Sequence, residues 1–333
     1  MPRKGAGLLN CNSTLRVHLA YSIAPPIRRH ITQAGVRSVF GLVGNTPLLD
    51  LSFASPNRRV KIFAKAEWQN PGRSIKDRAA SRILRAALRR GQLDRDKILL
   101  DSTSGNTGVA YALFGAALGI RVRLVVPENV SAYQKNLLAA YGAEVIWTPA
   151  SEGSDGAIRT ARAMFEELPA RCFYANQYGN PENWRAHYFG TTREIWKQTR
   201  GRLTHFVAGL GTSGTFTGTG RKLRELNPSI RLISVQPDSP LHGLEGLKHM
   251  PTAIVPTIYD ANLADENLGV ETEAAQEHVR ELARRKGWLI GLSSGAALEA
   301  ARRVAAKIES GLIVTVFPDG GHRYLEERFW NEN

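Results

Sequence analysis

The chain has 333 residues, 43% hydrophobic and 22% charged, and carries a formal net charge of +14 from 44 Lys and Arg against 30 Asp and Glu. These values describe a globular protein without low-complexity tracts or repeats, and the length suits two domains better than one core. No apolar run approaches the ~18 residues of a membrane span. Two cysteines, Cys11 and Cys172, make neither a disulfide framework nor a metal cluster, so a reducing cytoplasm is the expected setting and no metal is expected. The basic excess raises nucleic acid as a partner. Yet Arg159, Arg221, Arg284 and Arg302 are scattered, and Arg78, Arg82, Arg85 and Arg89 read as one solvated helix face without interleaved aromatics. Neither nucleic acid nor membrane is expected as a partner.

Residues 1–49 contain no acid and six basic residues (Arg3, Lys4, Arg16, Arg28, Arg29 and Arg37). Residues 1–36 read as a flexible basic extension, with an organellar transit peptide as the alternative. The alternating run Val60–Trp68 is a strand, and Asn70-Pro71-Gly72 a turn. Ser74 is placed to cap an Arg/Ala/Leu-rich helix reaching about Arg90. Lys76 then sits in the first helical turn, where the positive dipole end disfavours an ammonium. That suits a Schiff-base lysine.

Lys97–Asp101 is a short buried strand, followed by the loop Ser102-Thr103-Ser104-Gly105-Asn106-Thr107-Gly108 and a helix over Asn106–Leu118. Hydroxyls, a carboxamide and two glycines at a helix N-terminus suit a carboxylate, although an ordinary capped turn has the same composition. A strand at Arg121–Val126, a helix at Ala132–Tyr141, a strand at Glu144–Thr148, a helix at Asp155–Leu168 and a strand at Arg171–Tyr174 follow. Another helix begins after Asn180-Pro181.

The strand Leu203–Ala208 leads through Gly209-Leu210-Gly211-Thr212-Ser213-Gly214-Thr215 into a helix ending near Leu226. This loop matches Gly-x-Gly-x-x-Gly, the fingerprint of a nicotinamide dehydrogenase. A dinucleotide site also wants an acid at the end of the next strand to hold the ribose. Here the strand Ile230–Val235 ends in Gln236-Pro237, while hydroxyls crowd the loop, so a phosphate monoester fits better. Ser239–Asn267 reads as an irregular loop over the site. A helix at Thr272–Lys286 closed by Gly287, a helix at Ser294–Ile308 and a strand at Leu312–Phe317 complete the chain. The alternation argues for α/β architecture, with parallel sheets and helices on both faces.

With lysine, carboxylate loop and phosphate loop assembled, the chain resembles the cysteine synthase family of pyridoxal-phosphate enzymes, closest to its B or M type. The resemblance rests on Gly44-Asn45-Thr46-Pro47-Leu48, Ser74-x-Lys76-Asp77-Arg78, the Thr103–Gly108 loop, Asn176–Pro181, Gly211–Thr215, Gly291–Ala296 and Gly320–Leu325, in order over residues 38–326. It implies fold type II, two doubly wound three-layer domains with the cofactor in the cleft. The domains would span residues 37–180 and 181–333, with the first strands crossing to the second. It also implies that Lys76 carries the cofactor and abstracts the Cα proton, and that Gly211, Thr212, Ser213, Gly214 and Thr215 hold the phosphate. Asn106 would reach the ring oxygen and Ser293 face the pyridine nitrogen. Thr103, Ser104, Asn106, Thr107 and Gln177 would line the substrate side.

A neutral serine at the ring nitrogen suits elimination, and replacement of an activated serine's leaving group by a sulfur nucleophile then gives L-cysteine. Asp319, near the ring, replaces a serine of many relatives. Lys248, in Gly243–Met250, is placed to pair with a phosphate leaving group, making O-phosphoserine an alternative to O-acetylserine. Sulfide or a protein thiocarboxylate would donate the sulfur, and two copies would associate. Cystathionine β-synthase shares this core and is the alternative, although the chain ends at Asn333 with no room for a regulatory module.

Overall fold

The computed structural model describes residues 38–331, so the basic extension expected over residues 1–36 lies outside them. Strands β1 (Leu48–Asp50) and β2 (Val60–Ala66) pair antiparallel, Leu48 opposite Lys65, and α1 (Lys76–Arg89) follows. Next come β3 (Ile98–Ser102), α2 (Asn106–Leu118), β4 (Val122–Pro127), α3 (Ala132–Ala140), β5 (Glu144–Thr148), α4 (Gly153–Glu167) and β6 (Cys172–Tyr174). Their strands form a parallel sheet in the order β5-β4-β3-β6.

Helix α5 (Pro181–Ala186) runs through a π turn at His187–Thr191 into α6 (Thr192–Thr199). Then come β7 (His205–Gly209), α7 (Gly214–Leu226), β8 (Arg231–Pro237), β9 (Glu266–Val270), α8 (Thr272–Lys286), α9 (Leu292–Lys307) and β10 (Gly311–Phe317). The second sheet has the order β1-β2-β10-β7-β8-β9, parallel except for β1. Residues 48–66 thus lie in the sheet of the later strands.

The residue choices explain the layers. Parallel strands covered on both faces read as continuous apolar runs, and Leu99, Leu100, Leu124, Val125, Val126, Ile313 and Val314 are all buried. Helix α2 is apolar nearly all round (Val109, Ala110, Tyr111, Ala112 and Phe114 are buried) because it lies inside the smaller core with α1. Helix α8 buries one face and ends at Gly287, whose φ of +66° is the left-handed cap a glycine adopts without strain. Among the described residues no helix is long and apolar enough to cross a membrane.

Four expectations change. Helix α1 has Ile75 rather than Ser74 at its cap position, although the Ser74 hydroxyl accepts the Lys76 amide at 3.2 Å. Helix α9 begins at Leu292, which brings Ser293 into its first turn. Strand β9 overlaps the end of the irregular loop expected over Ser239–Asn267, and its residues have low strand preference; it forms because β8 pairs with it from Ile233–Glu266 to Pro237–Val270. The arginine stripe is no solvated face: Arg78 is buried against Glu67 and Glu194, Arg82 pairs with Glu182, and Arg85 covers Phe40. Only Arg85 and Arg89 are exposed.

Phe114 fills the smaller core and stacks on Phe40 with ring centroids 4.4 Å apart. Phe114→Ala leaves a cavity there and should lower stability by about 3–5 kcal/mol, read as an earlier midpoint in urea titration followed by circular dichroism.

Candidate active site

The loops leaving the carboxyl ends of β2, β3, β6, β7, β8 and β10 converge on one cleft. This is where helix N-termini collect in a parallel sheet and where such sheets bind ligands. The cleft holds about 800 Å³, including the part open to solvent. Its walls include Lys76, Thr103, Ser104, Asn106, Thr107, Gln177, Gly211, Thr212, Thr215, Lys248 and Ser293. Of the residues singled out in the sequence, Ser213 and Gly214 lie behind this lining.

Lys76 is set in place by its neighbours. Ser74 and Asp319 form an antiparallel bridge, and the Ile75 amide donates to the Pro318 carbonyl at 2.8 Å. Burial lowers the Lys76 pKa and the nearby Asp319 opposes that; burial raises the Asp319 pKa against Arg323, Asn106, Tyr324 and Lys76. Both groups therefore move toward their neutral forms, and a neutral amine is a base.

In the loop after β3, the Thr103 hydroxyl oxygen accepts the amides of Gly105 and Gly108, each at 3.1 Å, so it shapes the loop. The Thr107 hydroxyl donates to Gln177 Oε1 at 2.6 Å, and Gln177 Nε2 donates to the Ser102 carbonyl at 2.7 Å. The Gln177 amide group thus braces the loop with both its ends. Asn106 donates to Asp319 Oδ2 at 2.7 Å and accepts from Arg323 at 2.6 Å.

The loop after β7 has the makings of a phosphate site. Ser213 adopts φ +65°, the left-handed turn that lets its neighbours present their amides. Among the described residues, no protein acceptor takes the amides of Thr212–Phe216. The Ser213 hydroxyl is buried without a partner. Thr212 accepts from Asn183 at 3.0 Å, and Thr215 meets His187 Nε2 at 3.4 Å. Burial, with Arg78 and Lys76 adding to it, holds His187 well below its usual pKa and therefore neutral. Free amides at a helix N-terminus, a buried unpaired hydroxyl and no acid in the loop fit a phosphate dianion.

Lys248 lines the cleft wall and is buried. Its ammonium donates to Asp155 Oδ1 at 2.9 Å and Ser154 Oγ at 3.3 Å, above the Tyr178 ring. It faces the cleft, as expected of a leaving-group reader, but already has a carboxylate partner. Sequence reasoning gave no role to Arg323, Glu245, His187, Asn183 or Asp155. Arg323 bonds Asn106, Gln134 and Glu245 across the cleft. Its segment stood among the matching motifs, and that was the available signal.

A model of the family described as pyridoxal-phosphate dependent enzyme matches residues 39–319. The chain belongs to this family, and the phosphate loop opposite a half-buried helix-start lysine fits its cofactor. The chain is 48% identical over 302 residues to cysteine synthase of Aquifex aeolicus, covering 89% of this chain and 92% of that one. It is 39% identical to cysteine synthase B of Salmonella typhimurium, over 87% and 95%. Among solved structures, cysteine synthase of Entamoeba histolytica superposes with a TM-score of 0.84 at 33% identity, over 91% and 93%. The O-acetylserine dependent cystathionine beta-synthase of Helicobacter pylori gives 0.83 at 34%, over 88% and 98%. These likenesses bear out fold type II, pyridoxal phosphate as cofactor and the cysteine synthase resemblance, and they displace the dehydrogenase reading.

A Cβ on Gly211 would collide with the Gly246 carbonyl, which is backbone and has little room to yield. Gly211→Ala should therefore displace the phosphate loop and weaken pyridoxal phosphate retention at least tenfold, about 1.4 kcal/mol, measured by equilibrium dialysis.

Proposed function

We propose that the chain makes L-cysteine by replacing the leaving group on Cβ of an O-activated L-serine with a sulfur nucleophile. The carrying observation is the meeting of Lys76, the phosphate loop and the Ser293 hydroxyl in one cleft, with Asp319 beside them. Bound pyridoxal phosphate supplies an electron sink for negative charge at the substrate Cα.

Each residue then has a task. Lys76 would carry the cofactor through its Nζ and take the Cα proton on that atom; burial keeps it neutral enough to do so. The amides at the start of α7 and the hydroxyls of Thr212 and Thr215 hold the phosphate. Ser213 and Gly214 shape that loop. Asn106 reaches the ring oxygen, and Ser293, in the first turn of α9, faces the ring nitrogen without protonating it. Ser104, Asn106 and Thr107 hold the substrate carboxylate, while Thr103 and Gln177 keep their loop rigid.

The assignment of residues 37–180 and 181–333 to two domains, association as a homodimer and a cytoplasmic setting belong to the same reading. Two cysteines in 333 residues support a reducing compartment. Sulfide is the simplest donor, with a protein thiocarboxylate as the macromolecular alternative. A second reading, cystathionine formation with homocysteine as nucleophile, is favoured by the likeness to the Helicobacter pylori enzyme.

The test is turnover of O-acetylserine with sulfide against turnover with homocysteine; the larger kcat/KM names the nucleophile, and no turnover of either sinks the reading. Lys76→Ala should lose cofactor trapping by borohydride and slow the reaction roughly 10²–10⁴-fold. A phosphate leaving group has to draw Lys248 away from Asp155, and the lysine is expected to favour it. Lys248→Ala should then lower kcat/KM for O-phosphoserine about tenfold more than for O-acetylserine, by loss of a charge-assisted contact. An unchanged ratio makes O-acetylserine the substrate.

A further inference from the structure

Beneath the carboxylate loop lies an acid that the mechanism does not use. Asp101, at the carboxyl end of β3, is fully buried. Its Oδ1 accepts the Ser102 amide at 2.9 Å, and its Oδ2 accepts the Gln177 amide at 3.0 Å. It therefore ties together the two segments that shape the loop. Among the described residues no Lys, Arg or His pairs with it. Tyrosines face it instead: Tyr111 from α2, Tyr174 from β6 and Tyr178 just beyond. Arg162 of α4 acts on Tyr174, and the Asp155–Lys248 pair lies past Tyr178.

A buried carboxylate without a cation partner, bonded to the amides of the two segments that shape an anion-binding loop, is a conflict. Two negative charges in a weakly screened interior repel, whereas a neutral carboxyl keeps an amide on its carbonyl oxygen and does not oppose the incoming anion. We propose that Asp101 couples carboxylate binding to proton uptake: its protonated form admits the substrate carboxylate and its ionised form repels it. The coupling rests on the reading of Thr103–Thr107 as the carboxylate site. Asp101 is suited to this work near neutrality, since burial, opposed by the two amides and Tyr111, pushes its pKa up to about 7.

The direction follows by linkage. A carboxylate binding the protonated form raises the Asp101 pKa further, so affinity is full well below pH 7, is halved near pH 7 and weakens above it, approaching about tenfold per unit. Propionate has a carboxylate and no amine, so it reports on this without the chemistry of Schiff-base exchange. On the holoenzyme, its Ki as a competitor of O-acetylserine should rise about fivefold from pH 7 to pH 8 and level off below pH 6.5. In Asp101→Asn the Ki should be flat over this range. Proton uptake by the parent on mixing with saturating propionate, read with an indicator dye at pH 7.5, needs no variant and should reach about three-quarters of a proton per site.

A flat parent profile, zero uptake, or an Asp101→Asn slope equal to the parent's overturns the coupling, whatever the variant does to stability. The functional reading fails separately, by absence of cysteine formation at any pH.

Discussion

The position of Lys76 depends on a buried guanidinium two residues further along. Arg78 is almost fully buried and gives paired bonds to Glu67, at 2.6 and 2.8 Å, and to Glu194, at 2.8 and 2.9 Å. Lys65, also buried, reaches Glu194 at 2.7 Å. Two cations and two carboxylates thus cancel in a place where none could stay charged alone. Burial favours protonation of Glu194, but Arg78 and Lys65 pull its pKa down to about 2. Removing one partner of such a cluster strands the others, at a cost of about 3–5 kcal/mol. The cluster joins the end of β2, the start of α1 and helix α6, so the lysine enters the cleft from a base held on three sides.

From that base, the site follows from the chirality and direction of parallel strands. Each strand end feeds a helix start, and each helix start contributes unpaired amides and partial positive charge. Anions are therefore welcome across the cleft without a crowd of cations. The cations that are present already have partners, Arg323 with Glu245 and Lys248 with Asp155. His187 stays neutral beneath the phosphate loop. On the proposed reading, this leaves the helix starts to hold the phosphate and the carboxylate, and the lysine free to exchange protons.

Buried polar groups also set the limits of motion. Gln177 and Thr107 lock the carboxylate loop to β6, Asn183 bonds both the Gln177 carbonyl and Thr212, and Asn106 is held between Asp319 and Arg323. A chain of such bonds makes the two anion sites one rigid unit. The reacting group between them is then positioned by the protein before substrate arrives.

Much of this was legible residue by residue. Helix α2 and strand β5 have the bounds that their apolar periods gave, α8 stops at Gly287 because the next step needs a positive φ, and the phosphate loop announced itself by glycine and hydroxyl spacing. These are local properties, decided within a few residues by backbone sterics and side-chain period. What stayed hidden was pairing. Arg78 reads as one of a stripe of solvated arginines until Glu67 and Glu194 come to it, nothing in the sequence shows Asp155 2.9 Å from Lys248, and Asp101 is one more strand residue. Strand β9 took its form from β8. The sequence by itself determined the alternating α/β order, the lysine and the two anion loops. Only the tertiary structure decided which charges are buried, neutralised or left alone, because desolvation and Coulomb attraction act between groups that lie far apart along the chain, as Lys76 and Asp319 do.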